Sequence, residues 1–185
     1  FVSSFSSSTH REPDIESRLR TSSFMSLSQT FTKIAAKEAK AGSYMIVELD
    51  AKKKVQIRGE SGVGLASLKS NLPTDKVCWA AINVHGVDVR ANVESVRTKV
   101  VQINWVGKDV PAMKRMQALA GKEKVGKIFK GVALTMDVTI AEDVTPELIV
   151  KALLACGGAH KPTYYQMGAE EGEKVEANFY DPANK

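Results

Sequence analysis

The chain has 185 residues, 43% of them apolar and 25% charged, which is room and composition for one packed domain with loose ends. Its longest apolar run, Val77–Val84, is of strand length, well short of the ~18 residues a membrane span needs. A net charge of +5 is modest, but residues Val96–Gly131 hold nine basic side chains (Arg97, Lys99, Lys108, Lys114, Arg115, Lys122, Lys124, Lys127, Lys130) against Asp109 and Glu123. A single positive stretch on a near-balanced body points to a polyanionic partner: nucleic acid, anionic membrane or an acidic protein surface.

Residues 1–25 are Ser-rich, carry Arg11, Arg18 and Arg20 against Glu12, Asp14 and Glu16, and lack apolar periodicity, so they are expected to be a disordered extension. The folded domain is expected over 26–161, followed by an acidic C-terminal tail over 162–185. Ser26 and Gln29 form a capping box. Leu27, Phe31, Ile34, Ala35 and Ala39 then recur at helical spacing, predicting a helix that ends at Gly42. Tyr44–Leu49 and Val55–Arg58 read as strands around a turn near Asp50, and Gly59–Gly64 as a loop. Leu65–Leu72 reads as a short helix stopped by Pro73.

Val77–Val84 and Val96–Val106 are predicted strands. In the second, Val101, Ile103 and Trp105 share one face, and Val100, Gln102 and Asn104 the other. Asp109 is the expected N-cap of a helix with Pro111 in its first turn and Val110, Met113, Met116 and Ala120 on its buried side. Val125, Ile128 and Phe129 lie on a rotated face, which a bend near Gly121 would reconcile. Ala133–Ile140 is a predicted strand. Thr145-Pro146-Glu147 opens a last helix with the stripe Leu148, Ile149, Ala152, Leu153 and Cys156, ended by Gly157-Gly158. The hairpin at Asp50 is too short for a parallel crossover, so the elements imply an α/β (α+β) fold: a central mixed sheet with helices on both faces.

No constellation for catalysis, cofactor or metal emerges. Gly59-Glu60-Ser61-Gly62-Val63-Gly64 is followed by Leu65-Ala66 rather than the Lys-Ser/Thr a phosphate-binding loop requires. His10, His85 and His160 are scattered, without cysteine or carboxylate at ligand spacing. Cys78 and Cys156 read as buried structural thiols of a reducing compartment. Nucleic-acid readers add exposed aromatics to their basic groups. Here Trp105 falls in the core pattern and Phe129 on the apolar stripe, which leaves an acidic protein surface as the favoured partner.

The run Ser95–Gly107, with Arg97, Lys99 and Trp105-Val106-Gly107, resembles the central strand of coactosin-like proteins in the actin-depolymerising-factor homology (ADF/cofilin) family. The likeness runs on to Gly157-Gly158-Ala159, and Gly59-Glu60-Ser61-Gly62 matches a loop of the same proteins. Asp109–Gly131 is similar to the long actin-binding helix of cofilins, with Pro111, Met116, Lys122-Glu123 and Gly131 in register.

The resemblance covers about Ser26–Lys161. It implies a gelsolin-like sheet sandwich and a non-enzymatic, cytoplasmic, monomeric protein that binds the side of filamentous actin, with no nucleic-acid partner and no membrane insertion. By position it implies actin contacts at Arg97, Lys99, Lys114, Arg115, Lys122 and Lys124. Val96 departs from the family's lysine, and the segment His85–Glu94 is about three residues longer, which lengthens the loop expected beside Lys99. The Ser-rich arm ahead of the first helix argues against severing. Two rival readings stand beside this one: the same fold reused as an actin-independent structural subunit of a larger assembly, and an anionic-lipid binder using the same lysines.

Overall fold

A computed structural model describes residues 26–157 and 161–177. Its elements in chain order are α1 (Leu27–Ala35), β1 (Ser43–Leu49), β2 (Val55–Ile57), β3 (Gly62–Val63), α2 (Leu65–Ser70), β4 (Val77–Arg90) and β5 (Val93–Val106). They continue with α3 (Ala112–Gly126), β6 (Leu134–Val138), α4 (Pro146–Cys156), β7 (Tyr164–Gln166) and β8 (Lys174–Glu176). The main sheet runs β2-β1-β4-β5-β6, antiparallel except for the parallel β5–β6 pair, so it is the mixed sheet the sequence predicts.

Strand alternation divides the core in two. Val101, Ile103 and Trp105 point to the face covered by α2 and α4, packing with Leu68, Ile149, Val150 and Leu153. The Trp105 indole N–H donates to the Pro73 carbonyl at 2.6 Å. On the other face α1, α3 and the turn after α3 bring Phe31, Ile34, Val125 and Phe129 against Met45, Trp79, Ala81 and Val100. Phe31 stacks on Phe129 with ring centroids 5.1 Å apart.

Several boundaries differ from the sequence reading. Ser26 and Gln29 do form the capping box, but α1 stops at Ala35 because Ala36 is extended and the buried Asn83 amide donates to the Ile34 and Ala36 carbonyls at 2.7 and 3.4 Å. Pro111, not Asp109, takes the N-cap position of α3, without a side-chain cap. The helix α3 runs through Gly121, where a bend was expected, without a break. Gly121 instead rests on Trp79, and a Cβ there would fall inside the indole's van der Waals envelope. The helix therefore turns Ala118, Gly121 and Val125 inward, while Met113 and Met116, expected to be buried, stand 80% and 77% exposed. Thr145 caps α4 as predicted, and Val150 joins Ile149 and Leu153 in the core. Leu148 and Cys156 of the predicted stripe are exposed, so only Cys78 is a buried thiol, and burial pushes it up to about 12.

The packed structure continues past Lys161, where a solvated acidic tail was expected. β7 pairs with β4 at His85–Val87, β8 pairs with β7, and Tyr165, Met167, Glu173 and Ala177 are buried. The Glu173 carboxylate accepts from the Ala66 N–H at 3.0 Å and lies against Gly64, whose φ of +99° suits glycine. An anionic side chain of this protein thus occupies the start of α2, the place where a phosphate-binding loop would hold its ligand.

Asn83 Oδ1, His85 Nε2 and Thr98 Oγ1 are buried and have no hydrogen-bond partner among the described residues. Burial holds the His85 imidazole below its ordinary value, partly offset by its bond to the Ala39 backbone. The unfolded chain therefore takes up the proton first as pH falls. The neutral form makes no stability difference above about pH 6.5, and stability is lost below it, toward the depressed folded value. Denaturation midpoints at pH 7 and pH 5 are expected to fall less for His85→Gln than for the parent; equal slopes would remove His85 from the account. Gly121→Ala is expected to destabilise by about 1–3 kcal/mol from overpacking, although alanine ordinarily gains up to about 1 kcal/mol over glycine within a helix. Urea titration checks this, and a more stable variant would contradict the Trp79 contact.

Candidate functional site

The six basic residues expected to contact a partner fall on two separate surfaces. β4 and β5 pair residue by residue from Val77↔Val106 to Arg90↔Val93. The segment expected to form a longer loop beside Lys99 therefore extends the hairpin instead, closing at Ala91–Asn92 with Ala91 at φ +50°. Arg97 and Lys99 sit in this extension, opposite Gly86 and Val84. Alternation places both on the face of Val101 and Ile103, away from α3. Neither side chain has a hydrogen bond or ion pair among the described residues. Each is a cation held on a rigid strand.

The remaining four lie on α3, and they differ in how far they are committed. The Arg115 guanidinium donates to the Val110 and Lys108 carbonyls, both at 2.9 Å, and so closes the turn ahead of its own helix. Lys122 Nζ lies 2.6 Å from Asp137 Oδ1, which also accepts from Asn104 Nδ2 at 2.7 Å, and Gln102 Nε2 donates to Asn104 Oδ1 at 2.7 Å. This polar chain, Gln102–Asn104–Asp137–Lys122, ties α3 to β5 and β6. The bonds from Lys122 and Asn104 hold the Asp137 carboxyl below its usual range. Asp137 is 71% exposed, so the ion pair itself contributes little beyond positioning.

Lys124 Nζ donates to the Lys53 carbonyl at 2.6 Å. Lys114 is exposed and unpartnered among the described residues. It borders a cleft of about 420 Å³ over Trp79 whose rim mixes Glu48, Asp50 and Asp75 with Lys53 and Lys76.

Sequence reasoning missed two features of this surface. Met113 and Met116 flank Lys114 and Arg115 as solvent-facing apolar groups, and the spacing of Ala118, Gly121 and Val125 could have shown which side of α3 is buried. The Lys53 main-chain carbonyl accepts from Lys124 across the β1–β2 turn, a contact that no local sequence pattern signals.

No group of three or more His, Cys, Asp or Glu side chains able to hold a metal exists among the described residues. Nor is any helix among them long and apolar enough to cross a membrane. What the surface offers among the described residues is unpaired cations and exposed methionines on strand and helix, groups suited to docking.

Because Arg115 is bound into its own fold, Arg115→Ala is expected to lower stability by about 1–3 kcal/mol through two carbonyls left unpaired. Lys114→Ala, by contrast, is expected to stay within about 0.5 kcal/mol of the parent. Thermal and urea melts of the two variants check this; equal stabilities would mean that Arg115 is as free as Lys114.

The family of cofilin/tropomyosin-type actin-binding proteins matches residues 22–154. Coactosin of Dictyostelium discoideum is 26% identical over 139 residues, spanning 72% of this chain and 92% of that protein. Human coactosin-like protein shares the fold with a TM-score of 0.59 at 16% identity, over 70% of this chain and 93% of that one. Mouse coactosin, described as an actin filament binding protein, gives a TM-score of 0.51 at 19% identity, over 66% and 82% of the two chains. The family match covers the five-stranded path β2-β1-β4-β5-β6 and the helices on its two faces as far as residue 154, including every basic residue considered above, and the chain belongs to the cofilin/ADF family of actin-binding proteins as a coactosin-like member.

Proposed function

We propose that this protein binds the side of actin filaments as a non-enzymatic cytoplasmic regulator, with Arg97 and Lys99 on the β4–β5 hairpin as its principal electrostatic contact. The observation that carries this is the pair of cations, unpartnered among the described residues, on a fourteen-residue ladder. A backbone already fixed by a strand leaves only the side chain's own rotamers to be ordered on docking, so the charge goes further toward binding an acidic surface than it would on a loop.

The second contact is the outer side of α3, where Met113, Met116 and Lys114 present an apolar and cationic strip. The start of α3 follows the Val106 end of β5, about 23 Å along the strand from Lys99 at ~3.3 Å per residue, and α3 covers the opposite sheet face. Two contacts so separated suit a filament, whose neighbouring subunits both can reach, better than a single patch on a monomer. Mouse coactosin's description as an actin filament binding protein and the family match support the same reading.

Lys99→Ala is expected to weaken filament binding by about 30-fold or more, the effect of leaving an acidic partner unpaired near an interface centre. Lys124→Ala, whose ammonium is held by the Lys53 carbonyl, is expected to change binding less than about fivefold. Co-sedimentation with filamentous actin at low and moderate salt tests both. If Lys99→Ala, shown to be folded, pellets as well as the parent, the assignment of Lys99 fails. If the parent does not pellet at low salt, the filament reading fails with it.

A further inference from the structure

β5 carries an open edge where the hairpin outgrows its neighbour. β6 pairs with β5 only from Val101 to Trp105, and among the described residues no strand pairs with that edge from Val93 to Val100. The Val100 carbonyl points to this edge, since it accepts from the Ala133 N–H at 2.8 Å. By alternation the N–H and C=O of Glu94, Val96 and Thr98 point the same way and are free to bond a further strand. Arg97 and Lys99 stand beside them on one face, unpartnered among the described residues. An extended segment with acidic side chains at every second position would satisfy both the backbone and the charges.

The chain carries such a segment. Glu12, Asp14 and Glu16 alternate with Pro13 and Ile15, and all residues before Ser26 lie outside the described ones. The ten residues from Glu16 to Ser26 can span up to ~33 Å, enough to reach around a domain of this size. Pro13 selects the pairing direction. In a parallel pair the residue opposite an outward-bonding one turns its own N–H away from the ladder. Pro13 opposite Val96 therefore costs no hydrogen bond, and it puts Asp14 and Glu16 on the face of Arg97 and Lys99 while leaving Val101 to its partner Leu134. β6 already joins β5 in parallel along this edge.

We propose that residues Glu12–Glu16 dock as an added parallel strand on the open edge of β5, laying carboxylates over Arg97 and Lys99. The docked strand covers the pair assigned above to the filament contact, so it acts as an intramolecular competitor of actin. That consequence rests on the filament reading, whereas the docking itself does not.

Amide hydrogen exchange, read by NMR on the full chain at low salt without actin, tests the docking. The Val96 and Thr98 amides are expected to exchange at least ~10-fold faster in Glu12→Gln/Asp14→Asn/Glu16→Gln than in the parent, which is about 1.4 kcal/mol of docking free energy. Swapping the charges, with Glu12→Lys/Asp14→Lys/Glu16→Lys combined with Arg97→Glu/Lys99→Glu, is expected to restore the slow exchange. Exchange unchanged by neutralisation overturns the proposal, as does protection that grows with protein concentration, since that would give the edge to a second copy. In co-sedimentation the neutralised variant is expected to bind filaments several-fold tighter than the parent. Faster exchange without tighter pelleting would uphold the docking and count against Lys99 as the filament contact.

Discussion

The ladder between β4 and β5 is the constraint on which the rest of this molecule depends. Fourteen consecutive pairs from Val77↔Val106 to Arg90↔Val93 fix the alternation of both strands along their whole length. A slip of one residue would send Trp105, Ile103 and Val101 to the wrong core and carry Arg97 and Lys99 with them. The same ladder separates the two sets of basic residues. Those on β5 follow the parity of the α4 face, and those on α3 cover the opposite one.

How α3 is seated decides what it shows to solvent. Small residues, Ala118 and Gly121, let the helix approach Trp79 closely, and the polar chain from Gln102 to Lys122 fastens its flank. With that side committed to the sheet, Met113 and Met116 face away from every core residue among the described ones. Their exposure follows from the seating of the helix, and the second contact proposed for α3 depends on it. Arg115 and Lys122 serve mainly to hold that element in place, while Lys114, Arg97 and Lys99 remain available to a partner.

Much of this was legible in the sequence. The alternation in Val100–Trp105, the capping box at Ser26 and the cap at Thr145 each rest on local physics, and each appears as read. The errors arose where a distant residue decides the outcome. Asn83 ends α1 early from the far side of a sheet pairing. Trp79 makes Gly121 a contact point, which brings Ala118 and Gly121 inward and leaves Met113 and Met116 outside. The charge-rich stretch after Lys161 looked solvated because nothing local shows that Glu173 reaches the start of α2 or that β7 extends the sheet beside β4. That ribbon also lies beyond residues 22–154, the part matched by the family. The basic residues were found by position, but which of them are already bound to carbonyls or carboxylates of the same chain could not be read from their order.

The account therefore rests on two rigid surfaces, a cationic hairpin edge and a methionine-bearing helix, about 23 Å apart along β5 and turned to opposite faces of one sheet. Cryo-electron microscopy of actin filaments saturated with the full chain tests it most directly. The account predicts regular decoration along the filament side, with Arg97 and Lys99 against an acidic surface of one subunit and Met113 and Met116 buried against a neighbouring one. Bare filaments, or decoration through the β1–β2 turn or α4 with the hairpin and α3 left in solvent, would contradict it.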